Sequence, residues 1–146
     1  MKTKVNLKKL DERAFLPTYG SEFSAGADLY ACLSEPVQID PGEAVLIHTG
    51  LAMEIPAGYA GLIYARSGLA TKKGLAPSNK VGVIDADYRG EIMVSLFNHS
   101  KEIRVIEHGE RIAQLVITPF LGADWNLVSE LEETDRGAGG FGSTGK

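Results

Sequence analysis

The chain has 146 residues, which is enough for one domain with a buried core and does not require a second. A formal net charge of -4 disfavours nucleic-acid binding, which needs a basic surface. The single cysteine excludes an internal disulfide, and no apolar run is long enough for a membrane span, so we expect a cytoplasmic protein with no nucleic-acid or membrane partner.

Short β-rich runs recur along the chain, each closed by glycine or proline, and no segment keeps a helical apolar period over three turns. This pattern predicts an all-β fold, either a sandwich or a jelly roll. Only residues 67–73 look helical, and Ser67 is the predicted N-cap. The predicted strands are residues 37–39, 44–48, 51–55, 60–65, 81–84, 91–98, 103–106 and 112–118.

The first two polar segments among these strands are AGADLYA at 25–31 and YARSGLA at 64–70. Asp28 is the only charge in the first segment; it is either a surface carboxylate in a turn or a carboxylate aimed at a metal-bound water. In the second segment, Arg66 and Ser67 follow an apolar strand and begin a helix. That combination suits phosphate oxygens, while an ion pair beside an ordinary N-cap is the alternative.

Two further polar segments lie downstream. Residues 79–92 predict a β-hairpin whose turn is crowded with carboxylates. Asp85 directly follows a strand, where we expect partial burial to keep its carboxylate ready to accept a proton from water. Tyr88 serves either packing or contact with a sugar. Gln114 is an uncharged amide within an apolar run, so we expect it to have a hydrogen-bond partner.

The C-terminal segment, residues 136–146, contains five glycines and no apolar period. Glycine loses more conformational freedom on folding than any other residue, so this tail cannot order itself. It also carries Arg136, Phe141, Ser143 and Thr144, which a plain linker does not need. The tail is therefore either a disordered chain end or a lid that orders over an anionic ligand.

Together, five segments in this order resemble the motifs of the trimeric deoxyuridine 5'-triphosphate nucleotidohydrolase (dUTPase) family. The resemblance covers nearly the whole chain and implies hydrolysis of dUTP to dUMP and pyrophosphate, which keeps uracil out of DNA and supplies dUMP for thymidylate synthesis. It implies a jelly-roll-like (β-clip) fold, a homotrimer with shared active sites, a β domain at 1–135 and a flexible lid at 136–146. The motifs are AGADLYA at 25, ARSGLA at 65, GVIDADYRG at 82, GERIAQL at 109 and GGFGSTG at 139.

The resemblance also implies roles for individual residues. Asp85 would activate the water that attacks the α-phosphate, and Asp28 would hold Mg²⁺ through a metal-bound water. Tyr88 would pack on the deoxyribose and exclude a 2′-hydroxyl, and the backbone around 79–83 would bind the uracil edge. Phe141 would stack over uracil. The other expected substrate contacts are Arg66, Ser67, Gly68, Asn79, Gly82, Val83, Ile84, Gln114, Arg136, Gly142, Ser143 and Thr144.

Two other functions compete with this one. The dCTP deaminase family looks similar in fold and in residues 84–92, but the position of its catalytic glutamate is Ser95 here, which leaves deamination without a proton shuttle. A noncatalytic nucleotide-binding module would keep the pocket. Asp85 and the intact tail argue against it, because a sensor could bind a nucleotide without either.

Overall fold

The structure, a computed structural model, describes residues 3–141. Over these residues the chain is all-β apart from one short helix, α1, at Ser67–Lys73, which confirms the predicted fold class. The strands are β1 Asn6–Lys9, β2 Thr18–Tyr19, β3 Ala27–Tyr30, β4 Val37–Ile39, β5 Ala44–Glu54, β6 Tyr59–Tyr64, β7 Leu75–Pro77, β8 Gly82–Ile84, β9 Glu91–Asn98, β10 Arg104–Ile106 and β11 Arg111–Pro119.

Two antiparallel sheets enclose the core. One has four strands in the order β1-β5-β9-β7, the other has five in the order β2-β3-β11-β6-β8, and β10 pairs with β4 in a smaller sheet. Along β9, buried and half-buried residues alternate strictly, as expected for a strand with one face on the core. Both large sheets contribute to one apolar cluster, which includes Leu29, Ile47, Ile63, Val94 and Leu115.

The predicted β-hairpin at 79–92 is wrong. β8 pairs with β6 in the five-stranded sheet, whereas β9 pairs with β5 and β7 in the other. Residues 85–90 therefore cross from one sheet to the other, and six residues are more than the two-residue turn of a tight hairpin needs. The crossing leaves a gap between the sheets at this end of the molecule.

Two smaller predictions also need correction. Ser67 is not the N-cap of α1: Arg66 occupies that position with an extended backbone, and no side chain caps the helix. The separate strands predicted at 44–48 and 51–55 are one continuous strand, β5, which contains a bulge between His48 and Ala52. The glycine that suggested a break, Gly50, instead supplies the bulge with a positive φ of 67°.

The bulge packs closely against its surroundings. A Cβ at Gly50 would lie 2.9 Å from Cβ of Ala14 and 3.0 Å from Sγ of Cys32, so the position has no room for a larger residue. Cys32 is buried in a small cluster with Ala14 and Leu51, as expected for a small apolar side chain, and burial raises the pKa of its thiol.

Four strands were not predicted from the sequence: β1, β2, β3 and β7. All four residues of β1 are exposed, so no alternating pattern marks it. β7 ends in Pro77 and lies at the edge of its sheet, where a missing N–H is tolerated. No helix within residues 3–141 is both long and apolar enough to cross a bilayer.

Asn98 provides a test of the core. Its fully buried side chain donates to the carbonyls of Ile39 and Glu102, at 2.9 and 2.8 Å, and accepts from Ser100. Asn98→Ala should lower the free energy of unfolding by about 3 kcal/mol, because buried carbonyls lose their donor. Urea denaturation at fixed protein concentration measures the change.

The matched control is Asn6→Ala, which removes an exposed hydrogen bond to Glu54. It should change the free energy of unfolding by less than about 0.5 kcal/mol. Equal effects of the two substitutions would contradict the role given to Asn98.

Candidate active site

A polar row crosses the outer face of the five-stranded sheet. Gln114 on β11 lies directly opposite Asp28 on β3 and Tyr64 on β6. Residues directly opposite one another project from the same face of a sheet, and their neighbours along the strands, such as Leu29 and Ile63, point into the core. Three segments that are distant in sequence thus meet on one surface.

Asp28 is held between two arginines. Arg66 Nε donates to Oδ1 at 2.6 Å, and Arg111 Nη1 donates to Oδ2 at 3.3 Å. The Asp28 side chain is only 15% exposed, so its charge needs this pairing. Two guanidinium groups facing one carboxylate leave a net positive charge on this surface. Within residues 3–141, neither guanidinium has a second hydrogen-bond acceptor, so N–H donors remain for an anion.

The ion pair that was the alternative interpretation of Arg66 is thus present, with Asp28 as its partner. Arg111 was missed from the sequence. It stands in the same GERIAQL segment as Gln114, but nothing in that string indicates that it faces Asp28 rather than solvent.

Gln114 has the hydrogen-bond partner that was expected of it. Its Nε2 donates to the carbonyl oxygen of Ala65 at 2.8 Å, which ties β11 to the residue just before Arg66. Gly26 makes room for the amide, because a Cβ there would lie 2.5 Å from Gln114 Oε1. The glycine of the AGADLYA segment therefore positions a side chain of another segment.

Ser67 and Gly68 lie beside Arg66 and are both exposed. Apart from the chain neighbours and the backbone of α1, a Cβ built on Gly68 would meet no atom within 4 Å, and the φ of Gly68 is not in the left-handed region. Neither packing nor backbone conformation explains a glycine at this position. The open surface next to the Arg66 guanidinium is available to a ligand.

A cleft of about 260 Å³ opens between the two sheets where the 85–90 segment crosses. It joins strands β5, β6, β8 and β9, so its walls come from both sheets. Six residues predicted for the site line it: Asn79, Gly82, Val83, Ile84, Asp85 and Tyr88. The remaining lining residues are Leu46, Ile63, Glu91, Ile92 and Met93.

Asp85 is exposed in the single chain. The prediction that its carboxylate is partly buried is therefore wrong for one chain. The reason is topological: Asp85 follows the end of β8, and β8 is the outermost strand of its sheet. Ile84, the residue before it, is buried and fixes the position of the strand end.

The cleft and the polar row are separate within one chain. β8 pairs Gly82 with Ile63, next to Tyr64 of the polar row. Asp85 lies three residues beyond Gly82 and away from that row, a distance of about 10 Å along the strand. A single chain therefore does not bring Asp85 close to Arg66.

The described part of the tail does not reach the cleft either. Arg136 donates to the carbonyl oxygen of Gly139 at 2.9 Å within its own turn, and Phe141 is fully exposed. Gly142, Ser143 and Thr144 lie outside the described residues. Within residues 3–141, no group of three or more His, Cys, Asp or Glu side chains is placed to hold a metal ion.

Comparison with known proteins shows that this chain is similar to dUTPases over most of its length, and not only in the five motifs. The dUTPase family model matches residues 12–145. The deoxyuridine 5'-triphosphate nucleotidohydrolase of Desulfotalea psychrophila is 54% identical over 134 residues, which is 92% of this chain and 89% of that protein. The protein of the same name from Burkholderia cenocepacia is 51% identical over 146 residues, covering 98% of this chain and 99% of its own length.

Solved structures agree. The Staphylococcus bacteriophage 80alpha dUTPase with dUPNHPP has a TM-score of 0.86 and 32% identity, covering 99% of this chain and 100% of its own. A mutant dUTPase from phage phi11 of S. aureus, described with a structural Mg(II) ion, has a TM-score of 0.78 and 29% identity, covering 90% of this chain and 100% of its own. Sequence and fold agree over nearly the full length, and the chain belongs to the dUTPase family.

Proposed function

We propose that the protein is a dUTP diphosphatase that hydrolyses dUTP to dUMP and pyrophosphate. The observation that carries this proposal is a nucleoside-sized cleft with Asp85 at its edge, on a chain that also presents two arginines to an anion. The relatives named deoxyuridine 5'-triphosphate nucleotidohydrolase support the same reaction.

Selection of uracil is assigned to the backbone around residues 79–83. β8 is the outermost strand of its sheet, so among the described residues one edge of its backbone is unpaired and can offer N–H and C=O groups to a base. Groups that match uracil would leave cytosine with an unpaired buried polar group, at a cost of about 1 to 3 kcal/mol. Thymine, whose methyl group changes no hydrogen bond, would be refused by the shape of the cleft.

The phosphate chain is assigned to Arg66, Ser67, Gly68 and Gln114. The guanidinium of Arg66 supplies charge, and the open surface at Ser67 and Gly68 allows close approach of phosphate oxygens. Phosphoryl hydrolysis requires chiefly that a protein position a water and neutralise charge on the phosphates. Asp85 is the proposed base that takes a proton from the water attacking the α-phosphate.

Asp28 is the residue proposed to hold Mg²⁺ through a metal-bound water. Both of its oxygens accept hydrogen bonds from arginines, which disfavours direct ligation but leaves lone pairs for a water. Mg²⁺ commonly binds through one or two carboxylates together with substrate phosphates and keeps several waters. The residues present therefore fit a metal that arrives with the triphosphate; when bound, it would offset charge on the phosphate oxygens.

A homotrimer with shared sites is part of the proposal, because one chain keeps Asp85 apart from Arg66. The segment after β11 supports assembly: large apolar side chains there have no cover within residues 3–141. Such surfaces are typical of interfaces. The exposed residues are Leu121 at 99%, Trp125 at 91%, Leu127 at 98% and Leu131 at 87%.

Deamination of dCTP remains disfavoured. Ser95, at the position where the deaminase glutamate is expected, lies on β9, and its hydroxyl accepts a hydrogen bond from Ser78 at 2.8 Å. It is not among the residues that line the cleft.

The reaction is tested by incubating the protein with Mg²⁺ and, separately, dUTP, dTTP, dCTP and UTP, and resolving nucleotides and pyrophosphate by chromatography. We expect dUMP and pyrophosphate from dUTP alone. Asp85→Asn should lower kcat at least about 100-fold, because the water loses its base. The parent rate in that variant would refute the role of Asp85, and saturable dUTP binding without turnover would indicate a regulatory module.

The lid is tested by a protein that ends at Asp135. Residues 136–146 would act as a lid on a β domain at 1–135, with Phe141 stacking on uracil and Arg136, Ser143 and Thr144 reaching the phosphates. The shortened protein should keep its melting temperature while kcat/KM for dUTP falls at least about tenfold, from loss of stacking and charge contacts. Full activity after the deletion would refute the lid.

Assembly is tested by size-exclusion chromatography with light scattering. We expect three times the 15.7 kDa mass of one chain. Trp125→Asp should shift the protein toward monomers, because a charge would have to be buried in the interface. An active monomer would contradict the shared site.

A further inference from the structure

Glu91 lines the cleft but has no role in the function proposed above. It is the first residue of β9 and follows the 85–90 segment directly. Its side chain is 23% exposed, which is low for a carboxylate at a strand end. Both its side chain and its backbone connect this segment to the rest of the fold.

The Glu91 carboxylate closes the bulge in β5. His48 pairs with Met93 and Ala52 with Glu91, so four steps along β5 match two along β9. A bulge leaves backbone groups without ladder partners. Glu91 Oε1 accepts from the Gly50 N–H at 2.9 Å, and Oε2 lies 2.9 Å from His48 Nδ1. One side chain thus holds both a backbone donor of the bulge and the imidazole beside it.

The backbone of the same residue holds Tyr88. The Tyr88 hydroxyl donates to the carbonyl oxygen of Glu91 at 2.9 Å. The tyrosine ring lies against Gly90, because a Cβ at Gly90 would be 2.6 Å from Cζ and 2.9 Å from Cε2 of the ring. The ring is therefore fixed at its hydroxyl and along its edge, and both contacts depend on where residues 90 and 91 are held.

We propose that Glu91 is a positioning residue that fixes Tyr88 against the sugar and so determines selection of deoxyribose over ribose. The proposal rests on the function assigned above, in which Tyr88 packs on the sugar. An aromatic wall excludes a 2′-hydroxyl only if it cannot retreat. The bulge is anchored independently, by a 2.5 Å hydrogen bond from Thr49 Oγ1 to the carbonyl oxygen of Ile92, so it is a firm support for Glu91.

A purely structural role makes a different prediction. If Glu91 only stabilised the bulge, its loss would lower the melting temperature and leave the ratio of kcat/KM for dUTP to that for UTP unchanged. If Glu91 positions Tyr88, that ratio falls even in molecules that remain folded. The ratio is therefore the measurement that separates the two roles.

The experiment measures kcat/KM for dUTP and UTP with Mg²⁺ in the parent protein and in the variants Glu91→Ala, Glu91→Gln and Glu102→Ala. Glu91→Ala should lower the dUTP-to-UTP ratio about fivefold, because both carboxylate contacts that hold residue 91 are lost. Glu91→Gln should keep most of the parent ratio, since the amide oxygen of glutamine can still accept a hydrogen bond from the Gly50 N–H. Glu102→Ala, which removes a carboxylate that is 74% exposed and pairs with Arg104, should behave as the parent.

An unchanged ratio in a folded Glu91→Ala protein would overturn the proposal. If that variant gives no melting transition, His48→Ala replaces it, because His48 is half-exposed and its loss removes only one of the two carboxylate contacts. It should lower the ratio about twofold, and the parent ratio would overturn the proposal. A parent protein that hydrolyses neither nucleotide would refute the proposed function itself, which is a separate result.

Discussion

The pairing of β8 with β6, rather than with β9, is the constraint on which the candidate site depends. Because β8 joins the five-stranded sheet and β9 the four-stranded one, residues 85–90 must cross between sheets. The crossing opens the cleft and leaves Asp85 at its edge. It also leaves one edge of β8 without a strand partner among the described residues. A hairpin would have paired that edge and closed the gap.

The charged side chains also lie at the five-stranded sheet, but on a different surface from the cleft. Asp28, Arg66 and Arg111 come from three separate segments and meet because β3 and β6 both pair with β11. The central carboxylate keeps two guanidinium groups oriented, and the excess positive charge favours an anion. One chain therefore offers a cleft and a separate, positively charged surface, about 10 Å or more apart along the strands. Assembly, as proposed, is what would combine them.

The glycines at the polar row and at the cleft differ in why they are small. Gly26 is required by the approach of Gln114, and Gly90 by the approach of the Tyr88 ring. At Gly68, by contrast, a Cβ would meet no atom within 4 Å apart from the chain neighbours and the backbone of α1. Glu91 adds a link between the bulge of β5 and the wall of the cleft. The proposed selectivity for deoxyribose thus depends on contacts between the four-stranded sheet and the 85–90 segment that crosses to it.

The sequence by itself determined the all-β class, the position of α1 and most central strands, because buried strands carry apolar patterns between glycine and proline turns. It also determined the family, through five motifs in order. It did not determine β1, whose exposed residues carry no pattern, nor the partner of β8. Pairing across the two sheets, the arginines around Asp28 and the exposure of Asp85 were decided only by the tertiary structure, because contacts between distant segments leave no local signal in the chain.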